Sequence, residues 1–161
     1  ITDKTPKLIE ACKVSLLDRG FGQKSGANGS GWGKANKVNL WARAKDGNRA
    51  YSMLRELINK NIAPNLWDFH PPYQMDGNCG YTSGVCEMLC YSSDDIIELL
   101  PALPEEWKNG SVKGLCARGG YSLDFTWENG EIKSLSVYSS CGKKTARIKT
   151  GDEIKTVKTV G

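Results

Sequence analysis

A single histidine, His70, occurs among 161 residues, and the six cysteines contain no CxxC pair, so a structural zinc ion would find few ligands. No metal or other cofactor is expected. Lys and Arg are missing between Asn61 and Trp107, a stretch that instead holds eight acids: Asp68, Asp76, Glu87, Asp94, Asp95, Glu98, Glu105 and Glu106. A phosphate backbone would be repelled there, which argues against a nucleic-acid partner. No apolar run approaches the roughly 20 residues of a bilayer-crossing helix, so no membrane partner is expected. The glycine-rich "GFGQKSGANGSG" has no GxxxxGK[ST] pattern to cradle a phosphate. The opening "ITDKTPKLIEACK" carries neither the apolar core nor the cleavage pattern of a signal peptide. It does not begin with Met, which suits a piece of something larger and leaves localisation open.

What is present describes a folded protein: 39% hydrophobic residues, 25% charged and five tryptophans. The net charge of +4 comes entirely from the tail after Cys141, where Lys143, Lys144, Arg147, Lys149, Lys155 and Lys158 face only Asp152 and Glu153. Such a lysine-rich terminal hairpin reads as a solvated edge. Cys86 and Cys90 stand four apart, a helical spacing, and all six cysteines are read as small buried hydrophobes with reduced thiols.

The hydrophobic period changes midway. Thr5-Pro6 is a helix start, Leu8, Ile9, Cys12 and Leu16 recur at helical spacing, and Gly20 closes the segment. Residues 32–44, apolar on more than one face, predict a helix covered on several sides. Residues 46–60 predict an amphipathic one, with Ala50, Tyr51, Leu54, Leu57 and Ile58 inward and Arg49, Ser52, Arg55, Glu56 and Asn59 outward. An inner helix joined by a tight turn to an outer one is the repeating hairpin of a double-layered helical barrel. "GYTSGVCEMLCYS" predicts a further helix, with Gly80, Ser83 and Gly84 admitting a neighbour's backbone and Val85, Cys86, Leu89 and Cys90 buried. From about Asp94 the pattern is β: "IIELLPALP", "SVKGLCARGG", "YSLDFTW" with period two, a turn at Asn129-Gly130, "EIKSLSVYS", and a last hairpin around Gly151-Asp152. The fold class is therefore α+β, helices followed by a small antiparallel β-sandwich.

Between them lies "NLWDFHPPYQMDGNCG", residues 65–80, part of an irregular segment from Asn61 to Asn78 that is long for a connection in a compact domain. Pro64, Pro71 and Pro72 stiffen it, while Leu66, Trp67, Phe69 and Tyr73 are expected to anchor it. Asp76, flanked by the amides Gln74 and Asn78 and followed by Gly77, has two readings: a functional carboxylate near a helix start, or, like Asn78, a cap of that helix. His70 is either a binding residue or a packed histidine before the Pro-Pro turn. Trp67, Phe69 and Tyr73 either stack on sugar rings or serve as packing anchors. Amides, a carboxylate and aromatics with no cation nearby suit a neutral polyhydroxylated ligand.

"GSGWGKANKVNLWARAKDGNRAY", "NLWDFHPPYQMDGNCG" and "IIELLPALPEEWKNGSVKGLCARGGYSLDFTWENG" together resemble the C-terminal region of glycoside hydrolase family 95, the inverting 1,2-α-L-fucosidases and related α-L-galactosidases. The likeness runs in order from about Pro6 to Ser139. It implies that residues 1–92 are the last helices of an (α/α) six-hairpin barrel and residues 93–161 a C-terminal β-domain. In that family a glutamic acid protonates the leaving oxygen, and an aspartate polarises a water held by asparagines. The aspartate of the family's "QIDGN" motif corresponds to Asp76, and His70, Gln74 and Asn78 become candidate substrate-binding residues. The acid and the asparagines would lie on earlier helices, so the implied partners are a glycan substrate and the rest of the barrel, and this chain alone is expected to be inactive. Departures are Met75 for a branched residue, Asn36 for an aromatic and Cys79 for Phe. A different reading is a free-standing carbohydrate-binding or scaffold module without catalysis.

Overall fold

The computed structural model describes residues 5–20, 29–69, 73–93 and 95–160. Among these described residues four α-helices come first: α1 (Pro6–Arg19), α2 (Gly31–Arg43), α3 (Gly47–Asn61) and α4 (Met75–Leu89). Their ends follow local chemistry. Pro6 opens α1, the Ser30 hydroxyl accepts from Gly33 N–H at 3.1 Å to cap α2, and the Asp46 carboxylate accepts from Arg49 N–H at 3.0 Å to cap α3. Between α2 and α3 the chain turns through Lys45, which takes a positive φ of 58°.

α2 lies between α3 and α4. Against α4 the approach depends on missing side chains: a Cβ on Gly80 would fall 2.8 Å from the Ala35 Cβ, and one on Gly84 2.5 Å from a Val38 methyl. Asn39 ties the seam by donating to Gly80 O at 2.8 Å and accepting from the Ser83 hydroxyl at 3.0 Å. The opposite side meets α3 through a core of Val38, Trp41, Ala42, Ala50, Met53 and Leu54, joined by Met88 of α4.

Several expected faces differ. On α3 Met53 is buried, while Ile58, expected inward, is 46% exposed: the helix presses its Ala50–Leu57 stripe onto α2 and turns Ile58 away. On α4 the fully buried residues are Gly77, Gly84 and Met88; Val85 packs half-buried against the core, while Cys86, expected inward, is exposed, because the glycines set the closest approach and so choose the face. Residues 32–44 are not covered all round, since Trp32 and Leu40 remain exposed. The cysteines are also corrected: all six are free thiols, yet Cys79, Cys86, Cys116 and Cys141 are exposed and only Cys90 is buried.

Seven strands follow among the described residues: β1 (Cys90–Ser92), β2 (Ile97–Leu99), β3 (Gly110–Ala117), β4 (Tyr121–Glu128), β5 (Glu131–Ser139), β6 (Thr145–Thr150) and β7 (Glu153–Lys158). β3-β4-β5 is an antiparallel meander; β1-β2-β6-β7 forms the second sheet. Its central pair, β2 and β6, is parallel, which the alternating pattern did not predict. A parallel pair needs a long crossover, and here the whole meander supplies it. The period-two reading of β4 holds: Leu123, Phe125 and Trp127 point into a core shared with Ile97, Leu99, Val137, Ala146 and Ile148. Asn129 and Gly130 take positive φ of 51° and 77° in the β4–β5 turn. β7 is almost wholly exposed, as a charged edge should be.

The strap from Leu100 to Trp107 joins the halves. Leu100 and Ala102 N–H donate to the carbonyls of Leu89 and Met88, and Gly47 packs so closely on the Ala102–Leu103 backbone that a Cβ would meet it at 2.5 Å. Trp107 meets Tyr51 edge-on at 5.7 Å and accepts from the Trp127 indole through its carbonyl at 2.7 Å.

Candidate active site

The return from α3 to α4 is held from below by polar groups that sequence reasoning did not single out. Asn61, the buried last residue of α3, accepts from the Lys34 amine at 2.7 Å and donates to Gly29 O at 3.3 Å and Phe69 O at 3.5 Å. Lys34 is itself buried on α2 and lies 3.7 Å from Glu56. Burial holds its pKa below the usual lysine value, against the opposing pull of Glu56 and Asp68. One turn along, buried Lys37 donates to Gly20 O at 2.6 Å and Arg19 O at 3.3 Å, closing the end of α1. Its pKa is also lowered, by burial first and then by Arg19.

Above this layer the loop folds on itself. Ile62 pairs with Asp68 in an isolated antiparallel bridge, and Leu66 takes a positive φ of 68° in the turn between them. Asn78, in the first turns of α4, reaches back to accept from Asp68 N–H at 2.9 Å and donate to Leu66 O at 2.8 Å. The Asp68 side chain is fully buried between two backbones. A Cβ on Gly31 would fall 1.5 Å from Asp68 Oδ1, and one on Gly77 would fall 2.0 Å from Oδ2. Glycine is required at both positions, which puts the carboxylate beside the first turns of α2 and α4, the positive ends of their dipoles.

The sequence-predicted residues are placed as follows. Asp76 is exposed in the first turn of α4. The N-cap position belongs to Gln74, so neither Asp76 nor Asn78 is the capping residue that spacing allowed. Gln74 N–H donates to Asp68 O at 3.2 Å, while its side-chain Oε1 is buried with no hydrogen-bond partner among the described residues. Both ends of the Asn78 amide are engaged with the loop backbone. His70, with Pro71 and Pro72, lies outside the described residues. Trp67 and Tyr73 stack obliquely, centroids 4.6 Å apart at 38°, and with Phe69 they form an exposed rim instead of buried anchors. Asp76 and this rim therefore sit on accessible surface, with Asp68, Lys34 and Asn61 in the layer beneath.

Asp68 was counted in the sequence only as one acid of eight. Its sole distinguishing mark there is its place between Trp67 and Phe69, which says nothing of the two glycines that enclose it. Among the described residues no group of three or more His, Cys, Asp or Glu is disposed to hold a metal ion. Nor is any of their helices long and apolar enough to cross a membrane.

Helical hairpins bearing a carboxylate and aromatic rim, followed by a β-sandwich, define the class as a glycoside hydrolase once known proteins are compared. Residues 1–89 match the glycosyl hydrolase family 95 catalytic domain and residues 91–160 match the glycoside hydrolase family 95, C-terminal domain, so the chain belongs to glycoside hydrolase family 95. It is 34% identical over 149 residues to Alpha-L-fucosidase 2 of Arabidopsis thaliana, covering 85% of this chain and 17% of that protein. It is 35% identical over 136 residues to Probable alpha-fucosidase A of Aspergillus oryzae, with 74% and 18% covered. The corresponding protein of Aspergillus niger is 31% identical over 159 residues, with 88% and 20% covered. The chain thus spans a fifth or less of the length of these curated relatives.

Proposed function

We propose that this chain is the C-terminal part of an inverting α-L-fucosidase-like hydrolase acting on terminal fucosyl residues of glycans, with Asp76 as its water-polarising carboxylate. The observation that carries the reading is the exposed position of Asp76 on the first turn of α4, which follows a loop whose aromatics Trp67, Phe69 and Tyr73 are also exposed, in a chain of this family. An inverting glycosidase needs its acid and its water-activating group about 6.5–9.5 Å apart, so that a water fits between them. A neutral asparagine holding that water is a poor base, and a carboxylate behind it takes up the developing positive charge. Asp76 fills this role; the acid and the asparagines come from earlier helices. His70 and Gln74 are assigned to substrate binding, and Asn78 serves the pocket by holding the loop through Asp68 N–H and Leu66 O. Residues 1–92 are the last helices of the barrel and residues 93–161 the C-terminal β-domain.

In the intact parent enzyme Asp76→Asn should lower turnover of a 2'-fucosylated glycan at least about 100-fold with the fold retained. Unchanged turnover removes Asp76 from the mechanism. The isolated chain should hydrolyse the same glycan no faster than buffer, and any excess would show that it carries a complete site.

A further inference from the structure

A fully buried carboxylate is costly unless something holds it, so Asp68 asks for an explanation. Its contacts share a pattern. The backbone N–H donates to the Asn78 side chain, the carbonyl accepts from Gln74 N–H, and the carboxylate lies against Gly77. Residues 74, 77 and 78 bracket Asp76 within the same helical turn. The other carboxylate oxygen lies against Gly31, the first residue of α2, so one side chain sets the first turn of α4 relative to α2. Nothing larger than glycine fits at either contact, which leaves that turn little freedom to slide.

We infer that Asp68 is a positioning residue: wedged between Gly31 and Gly77, it fixes the first turn of α4 and thereby the place at which Asp76 presents its carboxylate. This rests on the reading of Asp76 given above. Displacements of about 1 Å at a reacting group can lower rates about 100-fold, so a residue without substrate contact can control turnover through placement alone.

The test is a double-mutant cycle in the intact enzyme, with Asp68→Asn, Asp76→Asn and both together, read as kcat and KM on a 2'-fucosylated glycan, with circular dichroism and a thermal melt for each. Asp68→Asn is expected to lower kcat about 10- to 100-fold with KM within about twofold. The double variant should be no more than about threefold slower than Asp76→Asn, because a misplaced group that has already been removed has nothing left to lose. Losses that multiply would mean that Asp68 acts independently of Asp76, and the inference would fall. A slow Asp76→Asn beside an Asp68→Asn of normal kcat overturns this inference alone; a normal Asp76→Asn overturns the reading of the site as well. Should Asp68→Asn fail to fold, Asn78→Ala removes the acceptor for Asp68 N–H at a half-buried position. It should lower kcat about 3- to 10-fold with KM unchanged. A raised KM with kcat intact would place Asn78 on the sugar and overturn the positioning chain.

Discussion

The helical half and the β half treat their apolar residues differently. In the β half the two sheets close on each other, and among the described residues its only large exposed hydrophobics are Ile154 and Val160. In the helical half Leu8, Val14, Leu17, Trp32, Leu40, Ile58, Leu66, Trp67, Phe69, Tyr73 and Met75 are all exposed, while two lysines are buried. A sandwich satisfies its own core with a few strands, whereas a helical barrel closes only when its last hairpin meets its first. Among the described residues, the contrast separates a half whose core is closed from one that leaves much apolar surface uncovered, as the proposed barrel fragment would.

The sharpest way to break that contrast is to damage the two halves alike. In the isolated chain Phe125→Ala, which empties the sandwich core, should cost about 3–5 kcal/mol in denaturant unfolding. Trp32→Ala should cost less than about 0.5 kcal/mol, because the residue is already 58% exposed. Equal losses would end the distinction.

Association is the next test. The apolar helical surface should drive the isolated chain to dimers or larger species in light scattering at micromolar concentration, while the intact parent stays discrete. A well-behaved isolated monomer would count against an open barrel edge.

The smallest effect concerns the thiols. Burial, reinforced by Glu87, pushes the Cys90 thiol up to about 12, so it stays protonated at pH 8 and should resist alkylation in the folded chain. Exposed Cys79, Cys116 and Cys141 should react within the same interval. Cys90 labelling at their pace would show that the junction between the halves opens in solution.

Much of the fold was legible because it rests on local chemistry. Thr5-Pro6 starts a helix wherever it meets water and an apolar stripe, Asn129-Gly130 suits a tight hairpin, and Leu123, Phe125 and Trp127 alternate by the geometry of a strand. The glycines of α4 were readable as a close-approach surface, though not which residues that surface would bury. The exposed cysteines, the outward Ile58 and the parallel β2–β6 pair were not legible, since each depends on which neighbour arrives from a distant part of the chain. For the same reason spacing left Asp76 and Asn78 as rival caps, and only the fold gave the cap position to Gln74.

By itself the sequence determined most of the order of elements, a change from helix to strand placed near residue 94, and the loop in which chemistry was to be sought, because periodicity, turns and caps act over a few residues; the structure moves that change to Cys90, where β1 begins. Only the tertiary structure decided that Asp68 is enclosed by glycines 37 residues before it and 9 after it, and that Asn78 is spent on the loop backbone. Burial and close approach belong to pairs of segments, and no property of one segment contains them.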